Sequence, residues 1–258
     1  MPSCRMVMGR ERKQGAFASC YRVMRQIREI ITGKKCVIYA DEQPQVLLIQ
    51  PVGEHEDAML DAEIEAIKEA VHVPFVFAGF AISDWEEELT PWHDPNISPR
   101  NSVGDHAFET LDFITKHLIP YMFERYGKLP IVLGGYSLAG LFARWAVCKA
   151  ECFDAVAAAS PSLWIIAWKG FSDAHEVYAR YVYLSLGDRE EIAKNKAIAQ
   201  VGANIRWEYD HLQRTIGSGH CTLVWEKGGH FVTPHLRLAR AFAWCINSLT
   251  NKKTSAGL

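Results

Sequence analysis

Short apolar or β-branched runs alternate with amphipathic helical periods along most of the chain, and this alternation restricts the fold more than any other feature. The runs fall at 36–40, 46–52, 73–82, 130–135, 155–159, 181–186 and 221–226. Between them, Leu60, Ile64, Ile67 and Val71 step by 4, 3 and 4. Ala107, Leu111, Ile114, Leu118 and Met122 form a second stripe, in which Pro120 predicts a kink. Ile198, Val201, Ile205, Tyr209, Leu212 and Ile216 form a third, and Leu236, Ala239, Phe242, Ile246 and Leu249 a fourth. Strands apolar on both faces need cover on both faces, so the pattern predicts a mostly parallel sheet between two helical layers. Only residues 41–45 separate the first two runs, which predicts an antiparallel hairpin at one edge.

A chain of 258 residues can bury roughly three quarters of its unfolded surface, enough for one domain without metals or disulfides. A net charge of −2 argues against nucleic acid as a standing partner, and no apolar run reaches membrane-spanning length. The first ten residues lack the apolar core and cleavage site of a secretory leader, and the seven cysteines are an odd number. Free thiols in a reducing cytoplasm are the expectation, with Cys148 and Cys152 as core thiols. Residues 1–35 carry nine Lys/Arg against Glu11 and Glu29. They read as a loosely ordered basic extension with one short helix near 17–31, leaving residues 36–258 as a single domain.

The chemistry concentrates in residues 130–146, a buried run, a tight turn holding Tyr136-Ser137-Leu138, then a helix that begins with small residues. A sharp strand-to-helix turn exposes a serine hydroxyl only where the residues two positions either side are small. Gly135 and Ala139 meet that condition, and Gly140 lets the helix approach the sheet. A serine hydroxyl needs a base held against it, and in this arrangement base and acid follow later strands, in the order Ser, acid, His. Among ten histidines, His230 has that place, after the run 221–226 and the turn Lys227-Gly228-Gly229. His235 should lie in the following helix, and His220 precedes its strand. The acid should follow 181–186, where Gly187-Asp188-Arg189-Glu190-Glu191 stands; Asp188 is the first choice, with Glu190, Glu191 or a Ser–His pair working nearly alone as alternatives. Oxyanion donors are expected from the Leu138 N–H and from Val52 or Gly53, since Pro51 has no N–H.

The stretch Gly134-Gly-Tyr-Ser-Leu-Ala-Gly140 resembles the elbow of the esterase D and enterochelin-esterase-like branch of the α/β hydrolases. Ser160-Pro-Ser-Leu-Trp164, Leu89-Thr-Pro-Trp92 and Gly229-His230-Phe231 resemble further segments of that branch, over roughly residues 36–248. Ala139 stands where the branch usually has glycine, and the loop after the second run lacks a His-Gly pair. The resemblance implies an α/β-hydrolase fold and hydrolysis of carboxylic or thio esters of small molecules through an acyl-enzyme, with no metal or other cofactor. Tyr136, Trp92, Ser162 and Trp164 are then expected at the substrate pocket, with Trp85 and Trp168 at its rim. An acyltransferase on the same three residues, or a binding protein that kept the fold, are the alternatives.

Overall fold

The apolar runs become strands of one sheet in the computed structural model, which describes residues 23–95, 97 and 105–250. In chain order the strands are β1 (Arg25–Ile31), β2 (Lys34–Ala40), β3 (Val46–Val52), β4 (Phe75–Ala81), β5 (Ile131–Tyr136), β6 (Ala155–Ala159), β7 (Tyr181–Gly187) and β8 (Cys221–Glu226). Their spatial order is β1-β2-β4-β3-β5-β6-β7-β8. From β4 to β8 every neighbouring pair is parallel, while β1–β2 and β2–β4 are antiparallel. This is the doubly covered, mostly parallel sheet expected of the α/β-hydrolase fold, with an antiparallel N-terminal edge.

The helices are α1 (Glu54–Asp57), α2 (Leu60–Ala70), α3 (Trp85–Leu89), α4 (Ala107–Phe113), α5 (Ile119–Tyr126), α6 (Leu138–Ala146), α7 (Trp168–Ala174), α8 (Val201–Thr215) and α9 (Pro234–Thr250). Along β3, Val46 and Leu48 join the core beneath α2 and α9, whereas Leu47 and Ile49 join the core beneath α4, α6 and α8. A strand sandwiched this way has no solvent face, which is why its first four residues are all apolar. The predicted helical stripes supply the cover. Ile64 and Ile67 of α2 meet Phe242 and Ile246 of α9 on one face, and Leu111, Leu141, Ile205 and Leu212 line the other. Pro120 does not simply kink its helix. A π turn at Ile114–Leu118 precedes it, and Pro120 sits in the first turn of α5, where its missing N–H costs least.

Three expectations are corrected. The edge hairpin joins β1 to β2 and not β2 to β3, through Thr32 and Gly33, both at positive φ (44° and 84°), the backbone a two-residue hairpin turn requires. β4 lies between β2 and β3 because residues 41–45 arch over its start: the Phe75 N–H donates to Asp41 Oδ2 (2.8 Å) and the Gln45 N–H to Pro74 O (2.9 Å). Residues 25–31 are a strand and no helix. Their relevant period is two, with Ile27 packed on the core and Ile31 buried, while Arg25 and Arg28 face solvent on a charged sheet edge. The extension thus gives way to the domain by Arg25, and its first 22 residues lie outside the described residues. Finally, Cys148 is buried as expected but Cys152 is exposed. Among the described residues no helix is long and apolar enough to cross a membrane.

A chain beginning at Lys34 would lose the burial of Ile31 and Ile27, together with the Arg125–Glu29 ion pair to α5 (3.0 Å). Its melting temperature should fall by at least about 5 °C, from roughly 1.5–3 kcal/mol per buried aliphatic side chain at a few degrees per kcal/mol. An unchanged melting curve would show that β1 adds nothing to the fold.

Candidate active site

Parallel strands point their carboxyl ends the same way, so the loops following β3, β5, β6, β7 and β8 gather along one edge of the sheet. Ser137 sits at the turn between β5 and α6, with φ 59° and ψ −119°. That conformation is strained for a residue with a side chain, and it persists because its surroundings fix it. The Ser137 N–H donates to Ala159 O at the end of β6 (3.2 Å), and its carbonyl accepts from the N–H groups of Leu141 (3.0 Å) and Ser162 (3.1 Å). The turn is so tight that a Cβ on Gly135 would lie 2.3 Å from the Ala139 carbonyl. Ala139, whose methyl departs from the usual elbow, is itself buried.

The structure brings His230 onto Ser137. Its Nε2 lies 3.0 Å from Ser137 Oγ, and its Nδ1 lies 2.7 Å from Glu190 Oε2. A carboxylate can only accept, so Nδ1 carries the proton and Nε2 is left to accept from the serine hydroxyl. Here Asp188 is corrected. Asp188 is exposed, and its Oδ1 accepts from the Gly228 N–H (2.8 Å), holding the backbone of the histidine loop and not the ring. The chain turns back after Arg189 in a single 3₁₀ turn, Glu190–Ile192, which carries Glu190 inward under Gly187. Glu191 stays at the surface, paired with Arg206 (2.8 Å).

Glu190 is 7% exposed and saturated with donors. While Oε2 faces His230, Oε1 accepts from the Gly187 N–H (2.7 Å), Ser160 Oγ (2.9 Å) and Arg237 (2.9 Å). Burial alone would push its carboxyl up. The hydrogen bond and charge of His230, with the hydrogen bonds from the Gly187 N–H and Ser160, hold it below the ordinary glutamate range.

The pocket expectations divide. Ser162 Oγ lies 3.4 Å from Ser137 Oγ, at the edge where the pocket was expected. Trp92 donates its Nε1–H to Ile166 O (2.8 Å), tying its loop to the half-buried Trp164 segment. Tyr136 is different: it is buried beneath the histidine loop and donates its hydroxyl to His230 O (2.5 Å), so it holds that loop from below. Trp168 is a core residue that donates to Glu208 (2.9 Å), whereas Trp85 is half-buried at the start of α3. The donor candidates for an oxyanion stand at the same edge: Leu138 opens α6, where N–H groups lack helical partners, and Val52 ends β3 with Gly53 capping α1. Glu87, Asp105 and His106 place ligand atoms within 4.8 Å of one another, but they already pair together, with His106 Nε2 at 3.3 Å and 3.4 Å from the two carboxylates.

Sequence reasoning missed Arg237 and gave Phe231 no role of its own. Arg237 is buried on α9, where an arginine seven positions after the histidine looks like any helical arginine. Phe231 is 91% exposed, edge-on to the His230 ring at 5.1 Å between centroids.

No protein-family model and no curated protein sequence matches the chain. Its fold is shared with solved serine hydrolases and esterases at low sequence identity. An IroE-like serine hydrolase from Shewanella oneidensis is 16% identical over 86% of this chain and 79% of its own, with a TM-score of 0.68. The siderophore hydrolase EstA from Aspergillus nidulans is 17% identical over 95% of this chain and 100% of its own, with a TM-score of 0.65. Its counterpart EstB, from the same organism, is 18% identical over 85% and 93%, with a TM-score of 0.63. Fold and site together define an α/β hydrolase architecture carrying a Ser–His–Glu chain.

The sign of the Glu190 shift gives a test. A folded-state value below the unfolded one means that ionised Glu190 stabilises the protein above about pH 4.3, and that this contribution is lost as pH falls through the lowered value. Melting temperatures recorded from neutral pH downward should therefore fall less steeply in Glu190→Gln than in the wild type. Identical slopes would mean that Glu190 is not held as a carboxylate.

Proposed function

We propose that the chain is a serine esterase that hydrolyses carboxylic esters of small molecules through an acyl-enzyme. The observation that carries this reading is the continuous hydrogen-bonded chain from Ser137 Oγ through His230 to Glu190, at 3.0 Å and 2.7 Å. The serine hydrolases and siderophore hydrolases that share the fold support ester chemistry. Ser137 Oγ attacks the acyl carbonyl as His230 Nε2 takes its proton. The oxyanion is received by the Leu138 N–H and by Val52 or Gly53. His230 then returns the proton to the departing alkoxide. Water, deprotonated by the same imidazole, releases the acid and restores the hydroxyl. Glu190 keeps the Nδ1–H tautomer and stabilises the imidazolium that forms in each half-reaction. The five described cysteines are free thiols, which supports a cytoplasmic location.

The reading is tested on a p-nitrophenyl ester. Ser137→Ala and His230→Ala should each lower kcat by at least about 10³-fold, and the double variant should be little worse, because the two groups act as a unit. Glu190→Gln should cost up to about 10⁴-fold by permitting the wrong tautomer, and Asp188→Asn far less. An active Ser137→Ala protein would overturn the assignment, and an Asp188→Asn loss exceeding that of Glu190→Gln would return the acid role to Asp188.

A further inference from the structure

The guanidinium of Arg237 is 1% exposed and makes five hydrogen bonds to four separate pieces of chain. Nη1 donates to Tyr136 Oη at the end of β5 (3.2 Å), to Ser160 Oγ after β6 (3.3 Å) and to Glu190 Oε1 after β7 (2.9 Å). Nη2 donates to the carbonyls of Lys227 (3.2 Å) and Gly229 (3.0 Å), in the loop that carries His230. A planar fork can span these acceptors at once; a lysine ammonium, a single point of charge, cannot. The room around it is set to match. A Cβ on Gly187 would lie 2.3 Å from Gly228 O and 2.9 Å from Nη1 of Arg237.

From this arrangement we propose that Arg237 is a positioning residue of the esterase, locking one oxygen of Glu190 and the loop of His230 into a single frame so that the other oxygen serves the imidazole alone. The proposal rests on the esterase reading above. Its logic is mechanical and electrostatic. With Oε1 occupied by Arg237, Ser160 and Gly187, Glu190 cannot rotate, and Oε2 stays aimed at Nδ1. With the carbonyls either side of Gly228 held from below and Tyr136 holding His230 O, the imidazole cannot drift from Ser137. A catalytic group displaced by about 1 Å can lose on the order of 10²-fold in rate, so a frame of this kind has kinetic value.

Arg237 also adds a positive charge to the pair. The charged and titratable groups around His230 are Glu190 from the loop after β7, Arg237 from α9 and Tyr136 from β5. Asp188 and Arg189 against the loop backbone, Lys227 in the loop itself, and Arg240 of α9 paired with Glu226 (2.7 Å) stand further out. Removing the Arg237 charge leaves Oε1 of Glu190 with neutral donors only, so its negative charge acts more strongly on the imidazole and favours the imidazolium, the inactive form of the base.

The test is the pH dependence of kcat and kcat/KM for Arg237→Gln and Arg237→Lys, with Ser137→Ala run beside them. Arg237→Gln should lower kcat by about 10²-fold with KM within about twofold, and should move the acidic limb of kcat/KM upward by about one pH unit. Arg237→Lys should lower kcat by at least about tenfold while leaving the limb where it is, because the charge is kept and the fork is lost. Should Arg237→Gln fail to fold, Arg237→Lys carries the test. A lysine variant with wild-type kcat, or a glutamine variant whose plateau falls with no movement of the limb, would overturn the positioning role. Activity that survives Ser137→Ala would instead remove the esterase reading on which it rests.

Discussion

The close approach of Gly135 to the Ala139 carbonyl governs the rest of the site. Because no side chain fits between them, the chain can reverse from β5 into α6 within one residue, and that residue, Ser137, takes a conformation most side chains avoid. The strain is tolerated because the turn is bonded on both sides, to Ala159 of β6 and to the N–H of Ser162. Those same contacts set the neighbouring loop, so Ser162 stands beside Ser137. One backbone constraint thus places the hydroxyl, frees the first N–H groups of α6 and locates the next loop.

The parallel sheet extends that local geometry across the molecule. β5, β6, β7 and β8 are consecutive neighbours, so the loops carrying Ser137, Ser160, Glu190 and His230 lie side by side at one edge. α9 returns beneath them and contributes Arg237 to the same polar cluster. Burial raises the stakes here: a carboxylate with all its donors is held ionised and immobile, while one left short of donors would pay a desolvation cost. Glu190 has the full set. The result is a polar network that is buried, complete and connected to Ser137 through a single imidazole.

What the sequence made legible follows from how locally each feature is encoded. The helical stripes and the doubly buried strands are set by periodicity, so the sheet and its two layers could be read. Ser137 and His230 could be read as well, because each is marked by small residues around a turn after an apolar run. The acid could not. Asp188 and Glu190 are two residues apart, and which one reaches the imidazole depends on a 3₁₀ turn with no distinctive residues of its own. The pairing of β2 with β4 was hidden for a related reason, since a five-residue connection fits a hairpin as well as an arch over a third strand. In residues 25–31 the polar residues Arg25, Gln26, Arg28 and Glu29 obscured an alternation that only Ile27 and Ile31 mark on the inner face. Arg237 was invisible because its importance lies entirely in partners from four distant segments.

The most direct measurement is covalent. A fluorophosphonate adds only to a serine hydroxyl activated by a base, so the folded wild-type protein treated with it and digested for mass spectrometry reports the nucleophile itself. Stoichiometric labelling confined to Ser137, lost in His230→Ala, is the predicted result. A folded protein that takes up no label, or takes it up on another residue while Ser137 stays free, would contradict the Ser137–His230–Glu190 assignment.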